Sequence, residues 1–202
     1  MRKVLYSSLL VFCFWLAGGS VFSPVEAESP INTAHFILSY SGSTQMPYYT
    51  TDGSVPYQIE LTVASRKKDP SALPGVRLGL VDRSGAEVFS TFLNGNGTTF
   101  YFLTNRPGAE VPDLVYLFQD GTGFYVGDFR IIGKVDGKFQ ELFNAKELSE
   151  DARILLSGQL HVLQSHYNGK YALLLSSQAA WATLVWDGTH YVFESVHQRG
   201  QN

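Results

Sequence analysis

The sequence predicts an all-β fold of antiparallel meanders, and three observations carry that prediction. Six tight-turn signals punctuate the chain: Ser84-Gly85, Asn94-Gly95-Asn96-Gly97, Asp120-Gly121, Asp136-Gly137, Asn168-Gly169 and Asp187-Gly188. Asn-Gly and Asp-Gly supply the positive φ angles that tight hairpins require, so each signal has a mechanism. The runs between them are apolar, β-branched or aromatic, and aromatic residues reach 14% of the chain, a composition that fits pleated, half-buried surfaces.

Taken in order, the strands form four groups. The first holds His35–Tyr40 and Tyr57–Ala64, separated by an irregular loop over Gly42 to Val55 that contains Met46, Pro47, Tyr48 and Tyr49. The second holds Val76–Asp82, Glu87–Leu93 and Thr98–Thr104, and the third Leu114–Gln119, Phe124–Ile132 and Lys138–Phe143. The last holds Gln159–Tyr167, Lys170–Ser177, Ala180–Trp186 and His190–Val196. Arg106-Pro107-Gly108 and Val111-Pro112 mark one boundary between groups. A short helix over Ala145–Arg153 marks another, capped by Asn144 with Glu147 three positions on, a variant of the capping box.

Strand faces narrow the architecture. Tyr57, Ile59, Leu61 and Val63 alternate with Gln58, Glu60 and Thr62, as in a strand with one solvated face. Phe100-Tyr101-Phe102-Leu103, Leu114 to Phe118 and Leu173-Leu174-Leu175 are apolar on both faces, so they need cover on both sides. Radially packed propeller blades provide it, and group starts at 35, 76, 113 and 159 approach the 40–50-residue blade repeat. The expectation is a single β-rich domain over 28–202, β-propeller-like with few blades; a β-sandwich or barrel covered by loops is the alternative.

Tyr171-Ala172-Leu173-Leu174-Leu175, followed by Leu184-Val185-Trp186-Asp187-Gly188-Thr189-His190-Tyr191, resembles the blade hairpins of secreted bacterial proteins with FG-GAP or VCBS-type propeller repeats. The resemblance covers about residues 170–196 and implies a binding or scaffold role. The Asp-x-Asn-Gly-Asp-Gly calcium loop of those families is absent from the sequence, so no ligand residue is carried over.

Residues 1–27 read as a cleavable secretory signal peptide. Arg2 and Lys3 precede an apolar stretch from Val4 to Ala17, Gly18-Gly19-Ser20 breaks it, and Val25-Glu26-Ala27 supplies a small-x-small cleavage site. The break leaves the stretch short of the roughly 20 residues a spanning helix needs, so no stable membrane span is expected after cleavage. The expected location is extracytoplasmic, secreted or at the cell envelope, and the usage favours a bacterial source. Cleavage removes Cys13, the sole cysteine, so the domain has to be stable without disulfides. Loss of Arg2, Lys3 and Glu26 leaves 13 basic and 17 acidic residues, a balance that argues against a nucleic-acid partner. The basic run Arg66-Lys67-Lys68 reads as a solvated turn.

Catalytic signatures are missing from the sequence. It has no His-Glu-x-x-His, no Gly-x-Ser-x-Gly, no phosphate-binding glycine loop, and no cysteine beyond the leader. No cofactor and no metal are expected. His166, Asp187 and His190 look like a cluster, because the turns at 168–169 and 187–188 share one end of a meander. Register separates them. Two-residue turns at Asn168-Gly169, Gln178-Ala179 and Asp187-Gly188 pair His166 with Tyr171, Leu174 with Thr183 and Val185 with His190, leaving the two histidines on opposite faces.

The same register yields a core face of Val162, His166, Tyr171, Leu173, Leu175, Leu184, Trp186, Tyr191 and Phe193. The other face mixes apolar residues with Ser176, Thr183, His190 and Glu194 around Trp181, with Trp181 opposite Glu194; a second, looser packing layer is one reading of it. That face is the candidate ligand site, an aromatic platform for a sugar or peptide. The expected partners are a glycan, a cell-wall component or another envelope protein. The predicted function is therefore an exported non-catalytic β-domain with a binding or scaffold role. A secreted hydrolase with dispersed acidic residues is the alternative, for which the helix carboxylates Glu147, Glu150 and Asp151 are the local candidates.

Overall fold

The computed structural model describes residues 32–37, 43–48, 50, 54–64, 75–93, 97–103, 106–119, 126–156 and 160–200. The leader at 1–27, Tyr49, the basic run at 66–68 and the turn residues 94–96 and 120–121 lie outside them. The strands are β1 (Asn32–Ile37), β2 (Ser43–Tyr48), β3 (Tyr57–Ala64), β4 (Gly75–Asp82), β5 (Glu87–Leu93), β6 (Gly97–Leu103), β7 (Asp113–Gln119), β8 (Val126–Val135), β9 (Lys138–Asn144), β10 (His161–Tyr167), β11 (Lys170–Ser176), β12 (Ala180–Trp186) and β13 (Tyr191–Gln198). One short α-helix, α1 (Glu150–Leu155), precedes β10. The all-β prediction holds.

The strands form three antiparallel sheets rather than four groups. An N-terminal sheet runs β2-β3-β4-β5, a middle sheet β1-β6-β7-β8-β9, and a C-terminal sheet β10-β11-β12-β13. Two predicted groupings are corrected. β6 pairs with β7 instead of following β5, and β1 crosses over to pair with β6 instead of β3. The segment read as an irregular loop contains β2, in which Met46 and Tyr48 point inward while Gln45 and Pro47 are exposed. β2 is an edge strand of its sheet, where a proline need not donate to a ladder. Its short alternation, spread over polar residues, was too weak to read as a strand.

The middle sheet explains the doubly apolar sequences. Leu114, Tyr116 and Phe118 of β7 face one apolar cluster, with Ile59, Leu61, Leu78 and Leu80 of the N-terminal sheet. Val115 and Leu117 face a second, with Leu173, Leu175, Leu184 and Tyr191 of the C-terminal sheet. Alternate residues of one strand thus serve two cores, the cover on both faces that the sequence demanded. In β9 the alternation is broken between Phe139 and Phe143 by a bulge. Ile131 pairs with Phe143 and Ile132 with Glu141, so Leu142 is the extra residue, and it is buried against the C-terminal side.

Local chemistry sets the turns. Asp136-Gly137 and Asn168-Gly169 have φ of 51° and 76°, and of 50° and 77°, the two consecutive positive angles of a type I′ hairpin. Asn144 accepts from the Lys146 backbone N–H, and its own N–H donates to the Glu147 carboxylate at 2.9 Å, closing the expected capping box. The predicted continuous helix is in fact two pieces. A 3₁₀ turn over Ala145–Glu147 ends at extended Leu148, and Ser149 caps α1 by accepting from the Ala152 N–H.

Candidate functional site

The outward face of the C-terminal sheet is organised in cross-strand rows. His161 pairs with Ser176, Ser176 with Trp181, and Trp181 with His197, so one row crosses all four strands. The next row is Leu163, Leu174, Thr183 and Ser195, and the next Ser165, Ala172, Val185 and Val192. Their neighbours in sequence, including Val162, Leu173, Leu175, Ala182 and Leu184, fill the core, which fixes these rows as outward-facing.

Trp181 is half-buried in its row. His197 stacks on the indole with ring centroids 5.3 Å apart and planes inclined by 24°. Arg199, just beyond β13, reaches back toward β11: its Nε donates to the Ser177 carbonyl at 3.0 Å and its Nη2 to Ser176 Oγ at 2.7 Å. In doing so it places its guanidinium carbon 5.6 Å from the indole centroid, within cation–π range. The indole is therefore held from the β13 side by an imidazole and from the β11 side by a guanidinium. Ser195 Oγ lies 3.0 Å from His197 Nε2 and steadies that ring in turn.

The four predicted site residues are only partly brought together. Trp181 and Thr183 share the outward face, with Thr183 buried between Leu174 and Ser195. Trp181 faces His197 rather than Glu194, because β13 has a bulge: Thr183 pairs with Ser195 and Leu184 with Phe193, leaving Glu194 as the extra, exposed residue. His190 sits at the opposite end of β12 in the turn after Trp186. That turn is longer than the expected pair of residues, since the ladder ends at Trp186 opposite Tyr191.

Asp187 builds that turn. Its Oδ1 accepts from the Thr189 N–H at 2.8 Å, the His190 N–H at 2.9 Å and the Thr189 hydroxyl at 3.0 Å. These bonds, the His190 and Thr189 amides foremost, hold its carboxyl down at about 2. His190 Nδ1 lies 3.2 Å from the second Asp187 oxygen, which makes the histidine part of the same turn. The expected pairs His166–Tyr171 and Leu174–Thr183 are present. Among the described residues no three metal-ligating side chains gather.

A buried polar cluster is the feature the sequence reading missed. Asp113, fully buried at the start of β7, accepts the Arg106 Nε proton at 3.0 and 2.8 Å through its two oxygens. Its Oδ2 also accepts from the Tyr191 hydroxyl at 2.8 Å. Arg106 Nη2 donates to the Lys134 carbonyl at 2.9 Å, and the guanidinium lies 4.5 Å from the Trp186 ring centroid. One residue before Asp113, the Pro112 carbonyl accepts from the buried Tyr48 hydroxyl. The middle sheet is thereby tied through Tyr191 to the C-terminal sheet and through Tyr48 to the N-terminal one.

Burial pushes the Asp113 carboxyl up, against the opposing pull of Arg106 and Tyr191; burial first and Asp113 second raise the Tyr191 hydroxyl well above its usual range. Both ends of the cluster are closed to solvent, so its chemistry is cohesion between layers. A sequence signal exists: Arg106 and Asp113 flank the Pro-Gly and Val-Pro turn residues that were read only as a boundary.

The other carboxylates have structural partners. Asp128 and Glu141 hold Arg130, which also reaches Thr91 of the N-terminal sheet. Glu87 pairs with Arg77 and Glu110 with Lys134. Of the helix candidates, Glu147 caps the 3₁₀ turn, and Glu150 and Asp151 occupy the first turn of α1, where negative charge is favourable. An open cleft of about 330 Å³ lies along the N-terminal sheet beside Pro56, Gln58, Glu60, Asp82 and Arg83. Asp82 spends its Oδ1 on Ser84 and Ala86, bonds that lower its carboxyl. Among the described residues no helix is long and apolar enough to cross a membrane. No family model, curated protein or solved structure matches the chain.

Proposed function

We propose that this chain is an exported, non-catalytic β-domain that binds an envelope glycan or cell-wall component through the outward face of its C-terminal sheet. Residues 1–27 act as the leader that delivers it. The successive antiparallel meanders fit the resemblance to propeller-repeat proteins, which points to the same binding or scaffold role. The observation that carries the reading is the row His161-Ser176-Trp181-His197, in which exposed His161 and His197 at the edges flank buried Ser176 and half-buried Trp181. Such a row joins apolar contact area to hydrogen-bonding groups that orient a ligand. Against hydrolysis stands the engagement of Asp113, Asp128, Glu87, Glu110 and Glu141 in ion pairs, which leaves each with a structural task.

The test is retention of the full-length-expressed protein on glycan and cell-wall fractions, comparing wild type with Trp181→Ala and Gln58→Ala. Gln58 is exposed on the N-terminal sheet and serves as the control. Retention that falls with Trp181→Ala and persists with Gln58→Ala is expected. No retention, or retention indifferent to Trp181, overturns the reading.

A further inference from the structure

We infer that the ligand of this face is an acidic glycan, a polymer bearing uronic acid carboxylates, and that Arg199 is the residue that seats the carboxylate. The inference rests on the binding reading above and adds the ligand's charge and class. Arginine carries five N–H donors in a planar fork. In Arg199 the Nε edge is consumed internally, by the Ser177 carbonyl and Ser176 Oγ. Those two bonds fix the guanidinium and leave its far edge, Nη1 with the second Nη2 hydrogen, pointing away from its anchors. That edge matches the two oxygens of one carboxylate.

Charge supports the assignment. Arg77, Arg106 and Arg130 each have a carboxylate partner, whereas Arg199, like Arg83 on the N-terminal sheet, has none among the described residues and is exposed; unlike Arg83, Arg199 stands beside a tryptophan. The row beside it, His161, Ser176, Trp181 and His197, contains no acid. The acidic residue of β13, Glu194, is displaced to the bulge, five positions before Arg199. A pre-positioned cation in an acid-free row is locally complementary to an anion, and it has to act against the net negative charge of the chain.

The chemistry of the row favours a saccharide over a protein. Its exposed members, His161 and His197, are polar or amphipathic; of the apolar residues two rows away Ala172 and Val185 are buried, and Val192 at the edge is exposed. At ordinary strand spacing the row extends roughly 14 Å, with a hydrogen-bonding group on each strand. That suits a chain of hydroxylated rings lying across the strands.

The test measures binding of the protein to polygalacturonate, to the same polymer fully methyl-esterified, and to polyphosphate. Wild type is compared with Arg199→Gln, Arg199→Lys and Trp181→Ala, each checked for wild-type thermal unfolding. Polygalacturonate is expected to bind, with the ester roughly tenfold or more weaker. Arg199→Gln should lose roughly tenfold to a hundredfold, as for one charge-assisted pair, and Arg199→Lys less. Equal binding of acid and ester, or an Arg199→Gln protein that binds as wild type while Trp181→Ala does not, overturns the acidic ligand and leaves the face intact. Tighter binding of polyphosphate overturns the uronate assignment. Binding that neither substitution weakens overturns both the ligand and the face.

Discussion

Replacing Arg106 by Met should destabilise this protein more than any surface substitution, and the structure sets the scale. The Arg106 side chain is 2% exposed and that of Asp113 0%, so the pair is cut off from solvent. Removing one partner of a buried pair leaves the other charge uncompensated, at a cost of about 3–5 kcal/mol. Asp113→Leu should cost about the same, for the same reason. Tyr191→Phe should cost about 1 kcal/mol, because it removes one hydrogen bond and leaves the Asp113–Arg106 pair in place.

Removing all three together is different. The triple replacement leaves no buried charge, and its remaining penalty is the Lys134 carbonyl that Arg106 had satisfied, about 1–3 kcal/mol. The expected loss is therefore smaller than for Arg106→Met alone, and far below the sum of the three single effects. Urea unfolding of the full-length-expressed protein, with midpoints compared at equal slope, measures each term. Single losses under about 1 kcal/mol, or a triple effect that is additive within about 0.5 kcal/mol, would refute the reasoning.

Gly133→Ala should cost about 1–3 kcal/mol by overpacking, since an added Cβ would sit 2.3 Å from Asp113 Oδ1 and 2.5 Å from Leu142 Cδ1. Urea unfolding reads this loss as well, and an unchanged midpoint would contradict the close packing at Gly133. Asp187→Asn keeps the turn's acceptor and removes its charge. The Asp187 carboxyl titrates at about 2 in the fold against 3.8 ordinarily, so its stabilisation is present above pH 4 and is lost as pH falls toward 2. Thermal unfolding from pH 7 to 2 should show a wild-type advantage that disappears across that window; an advantage independent of pH would remove the charge argument. Gly169→Ala, at φ 77°, should cost about 1 kcal/mol, and an unchanged midpoint would contradict the type I′ turn.

Legibility in the sequence followed the range of the interactions. Hairpins were readable because their determinants are neighbours: Asp136-Gly137 and Asn168-Gly169 set their own angles. The core face of β10–β13 was readable because side-chain direction follows from a local register. The same logic failed at β13, where the bulge at Glu194 and the longer turn built by Asp187 moved Trp181 from Glu194 to His197. A bulge has no local signature in a strand as mixed as Tyr191–Gln198. Sheet membership failed too, since nothing adjacent to Gly97–Leu103 tells whether β5 or β7 will be its partner. The Arg106–Asp113–Tyr191 cluster joins residues 78 positions apart across layers, beyond any reading by spacing.

The layered arrangement itself directs the search for a ligand. A middle sheet covered on both faces has no free face to offer, and its charges are spent on holding its neighbours. Ligand contact then falls to the outward faces of the two flanking sheets, and these differ in electrostatic economy. On the N-terminal sheet Gln45 donates to Glu60 at 2.7 Å, and Arg77 pairs with Glu87 above Gly79. There Arg77 and Glu87 cancel one another, while Glu60 keeps its charge beside a neutral amide and Arg83 donates to the Val55 carbonyl at 3.3 Å. On the C-terminal sheet Arg199 is anchored by a carbonyl and a hydroxyl, both neutral, so among the described residues its charge is positioned without being cancelled. Among the described residues no carboxylate pairs with this guanidinium beside the indole. An anion arriving at the proposed row would meet that positioned charge next to the half-buried indole, whereas on the N-terminal sheet it would meet Glu60 and Asp82 beside Arg83.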